Sequence, residues 1–264
     1  MKFNKILVVE SKKKTEKHLE SVRRLRGLLE DSQLSFSWIM HERLSKELLR
    51  DVDLVITLGG DGTFLEAANL VENSFILGIN SHPETSEGAL TSLSAENLEI
   101  LMEILNGKFQ ILKRQRAMVK LNGNLIEEYA TNEVYFGAAS QFHSSRYIIN
   151  FGDIEEEQRS SGVVISTGTG SGAWYLSAGG EVFYPSDEKL AFIVREPYFG
   201  KRLYSPKIIK GEFMSEERII LKCKRNFGGI LAIGFKAYDL QENDVVEVSL
   251  SDNPLKVLEV KDGK

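Results

Sequence analysis

Residues 55–70 read VITLGGDGTFLEAANL: an apolar, strand-like run ends in Gly59-Gly60, and Asp61 stands between glycines where a helix-like segment begins. Bare glycines at such a junction leave backbone N–H groups uncovered at the positive end of a helix dipole, which suits phosphate. No Lys-Ser or Lys-Thr follows, so this is not a Walker-type loop. Asp61 would repel a phosphate it touched, but beside one it suits a base or a magnesium partner. The plainer alternative is a turn in which Asp61 caps the helix carrying Leu65, Ala68 and Leu70. The loop lies at the carboxyl end of a strand, where ligands gather in open α/β sheets, and this favours the chemical reading.

Two other stretches carry chemistry. In SSGVVISTGTGSGAWYLSAGG, residues 160–180, the strand-like Val163, Val164 and Ile165 lead into Thr167, Gly168, Thr169, Gly170, Ser171 and Gly172. Hydroxyls and bare N–H groups at a strand-to-helix turn suit phosphates or ribose hydroxyls, although a plain Gly/Ser-rich loop has the same composition. In ATNEVYFG, Asn132 and Glu133 lie side by side in a run that otherwise reads as a buried strand. An unpaired carboxylate there is costly, and a ribose diol would satisfy both side chains.

The elements that must position these residues fall into two patterns. KILVVE, LSFSWIM, DLVITLG and FILGIN alternate with helix-like segments, as in a doubly wound parallel sheet. Leu19, Val22, Leu25, Leu28 and Leu29 recur at helical spacing, as do Leu98, Leu101, Ile104 and Leu105 behind a cap at Ser94. From residue 109 the text alternates in twos, with Asn122-Gly123 as a hairpin turn, and strand-like runs dominate apart from a short helix near residues 172–180.

The chain of 264 residues is 42% hydrophobic, with a formal charge of -5. The acidic balance argues against nucleic acid, and no run approaches the roughly 20 apolar residues of a membrane span. One cysteine, Cys223, and four scattered histidines build neither a disulfide framework nor a metal cluster. A cytoplasmic setting fits.

Gly-Gly-Asp-Gly-Thr, then Asn-Glu, then Thr-x-Thr-Gly-Ser, in this order, resemble the NAD kinase family over most of the chain. The first motif alone is shared with lipid kinases and in part with phosphofructokinases; the combination points to NAD. The resemblance implies an α/β, Rossmann-like N-terminal domain over residues 1–108 and a mostly-β, β-sandwich-like C-terminal domain over residues 109–264 that completes the NAD site. It implies an ATP-dependent phosphotransferase in which Asp61 accepts the proton of the 2′-hydroxyl of the adenosine ribose of NAD. Gly60, Gly62 and Thr63 would hold phosphates, and Asn132 and Glu133 ribose hydroxyls. Thr169, Ala173, Trp174 and Ser177 would serve the dinucleotide, Trp174 standing where the family has Tyr. Mg²⁺ would arrive with the phosphates of ATP, polyphosphate being another conceivable donor, and subunits would pair as dimers or tetramers.

Several positions depart from the bacterial pattern: Ala89 replaces a Phe, Ser161 an Asp, Gly168 a Pro, and Ile233-Gly234 an Asp-Gly pair. With SSG, TGTGS and PETSEG they look closer to the divergent, mitochondrial-type NAD kinases. Arg159, near Ser161, is a candidate phosphate partner or a solvated surface residue. His82 reads as a solvated loop residue, the SKKKTEKH run as a solvated helix start, and Trp38, Met102, Phe136 and Phe213 as core. Lys113, Arg114 and Arg116 suit either edge protection or ligand contact. Two rivals remain: a lipid or other small-alcohol kinase of the same superfamily, and a nucleotide-binding relative with little turnover.

Overall fold

The computed structural model describes residues 3–140, 142–225 and 228–260. These form two compact units, residues 3–113 with 255–260, and residues 114–254.

In the first unit a seven-stranded sheet is built on the parallel strands Lys5–Glu10, Ser35–Met40, Leu54–Gly59 and Phe75–Asn80. Apart from the edge strand Ser35–Met40, their apolar runs are nearly continuous because both faces are covered. Ile6, Val8, Leu54 and Ile56 pack with Leu25 and Leu29 of the helix Glu16–Asp31. Leu7, Val9 and Val55 face the other way, onto Phe64, Ala67 and Ala68 of the helix Asp61–Ala68. The doubly wound reading holds. Thr15 caps the first helix, its hydroxyl accepting from the His18 N–H at 3.2 Å, and the lysines before it, Lys12, Lys13 and Lys14, are exposed.

Two details differ from the sequence reading. The Leu98 periodicity forms a 3-10 turn, Leu98–Ile100, running into the helix Leu101–Leu105, and Asn97, not Ser94, holds the cap position. Ser94 is in a two-residue strand, and its N–H donates back to Asn97 Oδ1 at 2.7 Å. The last strand, Leu255–Val260, pairs in parallel with Phe75–Asn80 and so belongs to the first unit, whereas alternation alone had grouped it with the β-rich residues 109–264. Strand periodicity does not reveal which sheet a strand will join.

The second unit is a sandwich of two six-stranded sheets in which neighbouring strands run antiparallel. Val119, Tyr147, Ile149, Leu221 and Val248 of one sheet share a core with Val134, Phe136, Val163, Phe192 and Leu231 of the other. Asn122 and Gly123 both have positive φ, 51° and 80°, as the expected two-residue hairpin turn demands. Arg116 does not guard a solvent-facing edge. It is fully buried, Nε and Nη2 donating to the Asn253 carbonyl at 3.0 and 2.7 Å, with the guanidinium 4.0 Å from the centre of the Tyr129 ring.

Candidate active site

In the first unit the strand Leu54–Gly59 ends in the glycine pair, Gly60 is the helix N-cap, and Asp61 opens the helix. A Cβ on Gly60 would fall 2.5 Å from Ser86 Oγ, and one on Gly59 would run into Thr63, so close packing reserves both positions for glycine. Gly62 and Thr63 continue the first turn. The Asp61 carboxylate does not cap its own helix. Oδ1 accepts from the Leu90 N–H at 2.9 Å and Oδ2 from the Ala89 N–H at 3.2 Å, while the Asp61 N–H donates to Ser86 Oγ at 3.3 Å. The loop after Asn80 therefore grips the carboxylate by its backbone. Ala89 acts through its amide, so the absence of a Phe side chain there leaves the bond intact.

That loop is anchored by His82, which is buried rather than solvated. Its N–H donates to Asn80 Oδ1 at 3.0 Å, and its ring stacks on the buried His18 at 4.8 Å between centres. Ring nitrogens of His82 meet Thr15 Oγ1 at 3.3 Å and Ser11 Oγ at 3.4 Å. Burial, with help from His18 and Lys13, pushes the imidazole down to about 4. Sequence spacing gave no sign of this cluster, since its members come from two segments far apart in the chain, residues 11–18 and 80–82.

In the second unit Asn132 and Glu133 lead into the strand Glu133–Gly137. Asn132 Oδ1 and Glu133 Oε2 are buried with no hydrogen-bond partner among the described residues. Burial alone raises Glu133 to about 7. The 167–172 turn packs on the same segment: the Thr167 N–H donates to the Asn132 carbonyl at 2.9 Å, and its hydroxyl to the Thr131 carbonyl at 2.6 Å. Thr169 Oγ1 lies 3.5 Å from Arg114 Nη1. A Cβ at Gly168 would collide with the Tyr184 carbonyl, so the segment that crosses this turn leaves no room for a side chain.

Beyond Glu133, Tyr135 and Trp174 stack at 5.0 Å and, with Ser161, Arg195, Ile230 and Ala232, line a cleft of about 670 Å³. The Arg195 guanidinium lies 5.1 Å from the centre of the Trp174 ring. Of the expected dinucleotide residues Ala173, Trp174 and Ser177, only Trp174 lines this cleft; Ala173 and Ser177 are exposed on the short helical turn, the Ser177 hydroxyl donating to the Ala173 carbonyl at 3.2 Å. Arg159 is exposed, its Nε donating to Ser144 Oγ at 2.7 Å, and is not among the residues lining the cleft. Ile233 is 1% exposed and packs in the sandwich core, so its departure from an acidic residue changes packing.

A doubly wound domain and a sandwich, the first gripping a carboxylate in an amide-rich loop and the second offering unpaired acceptors, define a two-domain nucleotide kinase. Residues 3–109 match the ATP-NAD kinase N-terminal domain and residues 104–260 the ATP-NAD kinase C-terminal domain; the chain belongs to the NAD kinase family. It is 30% identical to a probable NADH kinase of Oryza sativa over 266 residues, covering 91% of this chain and 81% of the rice protein. With an NAD kinase of Methanosarcina acetivorans it shares 33% identity over 221 residues, covering 82% and 77%. Its fold is similar to that of an Archaeoglobus fulgidus NAD kinase solved in complex with ATP, with a TM-score of 0.76 and 24% identity over 98% of this chain and 94% of the other. A yeast NADH kinase solved with NADH gives a TM-score of 0.81 at 17% identity over 98% and 84%.

Proposed function

We infer that this protein is an ATP-dependent NAD kinase that phosphorylates the 2′-hydroxyl of the adenosine ribose of NAD to give NADP, with Asp61 as general base. The observation that carries the ribose half is the pair of buried acceptors at Asn132 and Glu133. Buried oxygens without donors are costly, and a vicinal diol supplies the two O–H groups they lack. In the transfer, Asp61 takes the proton of the 2′-hydroxyl as that oxygen bonds to the terminal phosphorus of ATP. The bond from that phosphorus to the bridging oxygen breaks, and ADP leaves with the electron pair. The N–H groups of Ala89 and Leu90 fix the direction of the carboxylate beforehand, which matters because positioning dominates phosphoryl transfer. Gly60, Gly62 and Thr63 hold phosphates, and Thr169, Ala173, Trp174 and Ser177 serve the dinucleotide.

Among the described residues no three His, Cys, Asp or Glu side chains cluster as a metal cage. Mg²⁺ binds through one or two carboxylates, substrate phosphates and water. It would arrive with the phosphates of ATP and neutralise the charge that develops on them, leaving Asp61 free to act as the base. Exposed Tyr198, Phe199 and Leu203 support association of copies into a dimer or tetramer, and the single buried cysteine supports a reducing, cytoplasmic setting. Among the described residues no helix is long and apolar enough to cross a membrane.

The test is NADP formation from NAD, ATP and Mg²⁺, with glycerol and a sphingoid base offered as competing acceptors. NADP as the main product supports the assignment. Phosphorylation of the lipid or glycerol instead, or NAD binding without transfer, sinks it.

A further inference from the structure

The loop of residues 81–92 joins the strand Phe75–Asn80 to the short strand Leu93–Ser94 and delivers three polar groups to Asp61: Ser86 Oγ, the Ala89 N–H and the Leu90 N–H. Most of its middle is solvent-facing: Glu84, Thr85, Glu87 and Ala89 are exposed. Its buried footholds are Ser81 and His82 where it begins and Leu90 near its end. A loop held at two points keeps its intervening amides in register only while both points hold, because every freed residue regains backbone entropy.

At the first foothold the His82 carbonyl accepts from the N–H groups of both Thr85 and Ser86, each at 3.0 Å. Asn80 ties the turn from below, accepting from the His82 N–H and donating from Nδ2 to the Ser86 carbonyl at 3.1 Å. The ring beneath is held by groups that the first strand and the first helix bring to it. His18, stacked on it, meets Ser81 Oγ at 2.8 Å through Nδ1 and Glu10 Oε1 at 3.3 Å through Nε2. Glu10 Oε2 in turn accepts from the Trp38 indole N–H at 2.5 Å. An aliphatic residue in place of His82 would take one partner from the buried Ser11 hydroxyl, and an exposed polar residue would leave His18 without its stacking partner.

We propose that His82 is a positioning residue for catalysis, setting the direction of the Asp61 carboxylate through the loop that begins at its own backbone. This rests on the reading of Asp61 as the base. His82 does not touch substrate; it fixes where Ser86 and the two amides stand. Its loss should therefore appear in the chemical step and not in the binding of NAD or ATP, and only while Asp61 is present to be misdirected.

The experiment is a double-mutant cycle on the full chain, with His82→Ala, Asp61→Asn and the double variant assayed for NADP formation below their melting transitions. His82→Gln serves as the milder variant, since it retains a polar end for one hydroxyl. The expected result is a kcat loss of roughly ten- to a hundredfold for His82→Ala with KM values changed little, partial recovery in His82→Gln, and at most about a threefold further loss when His82→Ala is added to Asp61→Asn. An equal fold-loss in both backgrounds, or a change confined to KM, would overturn the proposal and leave the kinase reading standing. Full activity in Asp61→Asn would instead remove the reading on which it rests.

Discussion

Asp61 and Glu133 are carboxylates at the margin of a buried sheet, one in each unit, and they are treated oppositely. Asp61 accepts two backbone hydrogen bonds, whereas Glu133 has a buried oxygen with no donor among the described residues. The first arrangement fixes a direction; the second keeps a demand open. A group that must meet a proton at one point benefits from being held before substrate arrives. A group that recognises a ligand benefits from lacking a partner until the ligand supplies one, because the desolvation cost is then relieved only on binding. The parallel unit achieves the first through a loop at strand ends, and the sandwich achieves the second by setting polar residues at the start of a central strand.

Mutations sharpen this contrast. The largest expected effect on stability is in the sandwich core: Ile233→Asp should cost about 3 to 5 kcal/mol, since it places an unpaired carboxylate among buried apolar groups, and thermal or denaturant unfolding reads it directly. A surviving, fully stable variant would mean that position 233 belongs to the site after all. Glu133→Gln should move stability and activity in opposite directions. With its pKa raised to about 7, the wild-type carboxyl contributes stability that is complete below its ordinary range near 4.5 and is lost as pH rises through about 7. The variant should accordingly be more stable than wild type at pH 8 by about 1 to 3 kcal/mol, with the gap closing toward pH 4.5, while kcat/KM for NAD falls about tenfold. A pH-independent gap would show that the carboxyl is not the strained group.

Gly60→Ala should lower kcat by about tenfold with a smaller effect on melting, because the added methyl presses on Ser86 and so displaces the loop that aims Asp61. Ser161→Asp should do least. Ser161 is held through its backbone, the N–H donating to the Arg195 carbonyl at 2.9 Å and the carbonyl accepting from the Tyr135 hydroxyl at 2.8 Å, so stability should change by about 0.5 kcal/mol or less.

The same contrast governs what the sequence revealed. The four parallel strands and the Asn122-Gly123 turn were legible because both-face burial and positive φ leave direct marks in residue type. Glu133 was legible as a polar residue in an apolar run, and one of its oxygens is buried with no hydrogen-bond partner among the described residues. What the loop after Asn80 does was not legible. Asp61 is gripped by amides of Ala89 and Leu90, and an amide leaves no signature in residue type. His82 looked solvated because its partners, Ser11, Thr15 and His18, reach it only once separate segments are folded together. The last strand was assigned with its neighbours in sequence, since alternation reports a strand but not its sheet.

The most direct measurement is single-turnover NADP formation by wild type and Asp61→Asn side by side, with NAD binding measured on the same samples. The expected result is unchanged binding with a rate lower by roughly 10²- to 10⁴-fold in the variant, the range for removal of a general base. Equal rates at equal occupancy would contradict the assignment of proton transfer to Asp61.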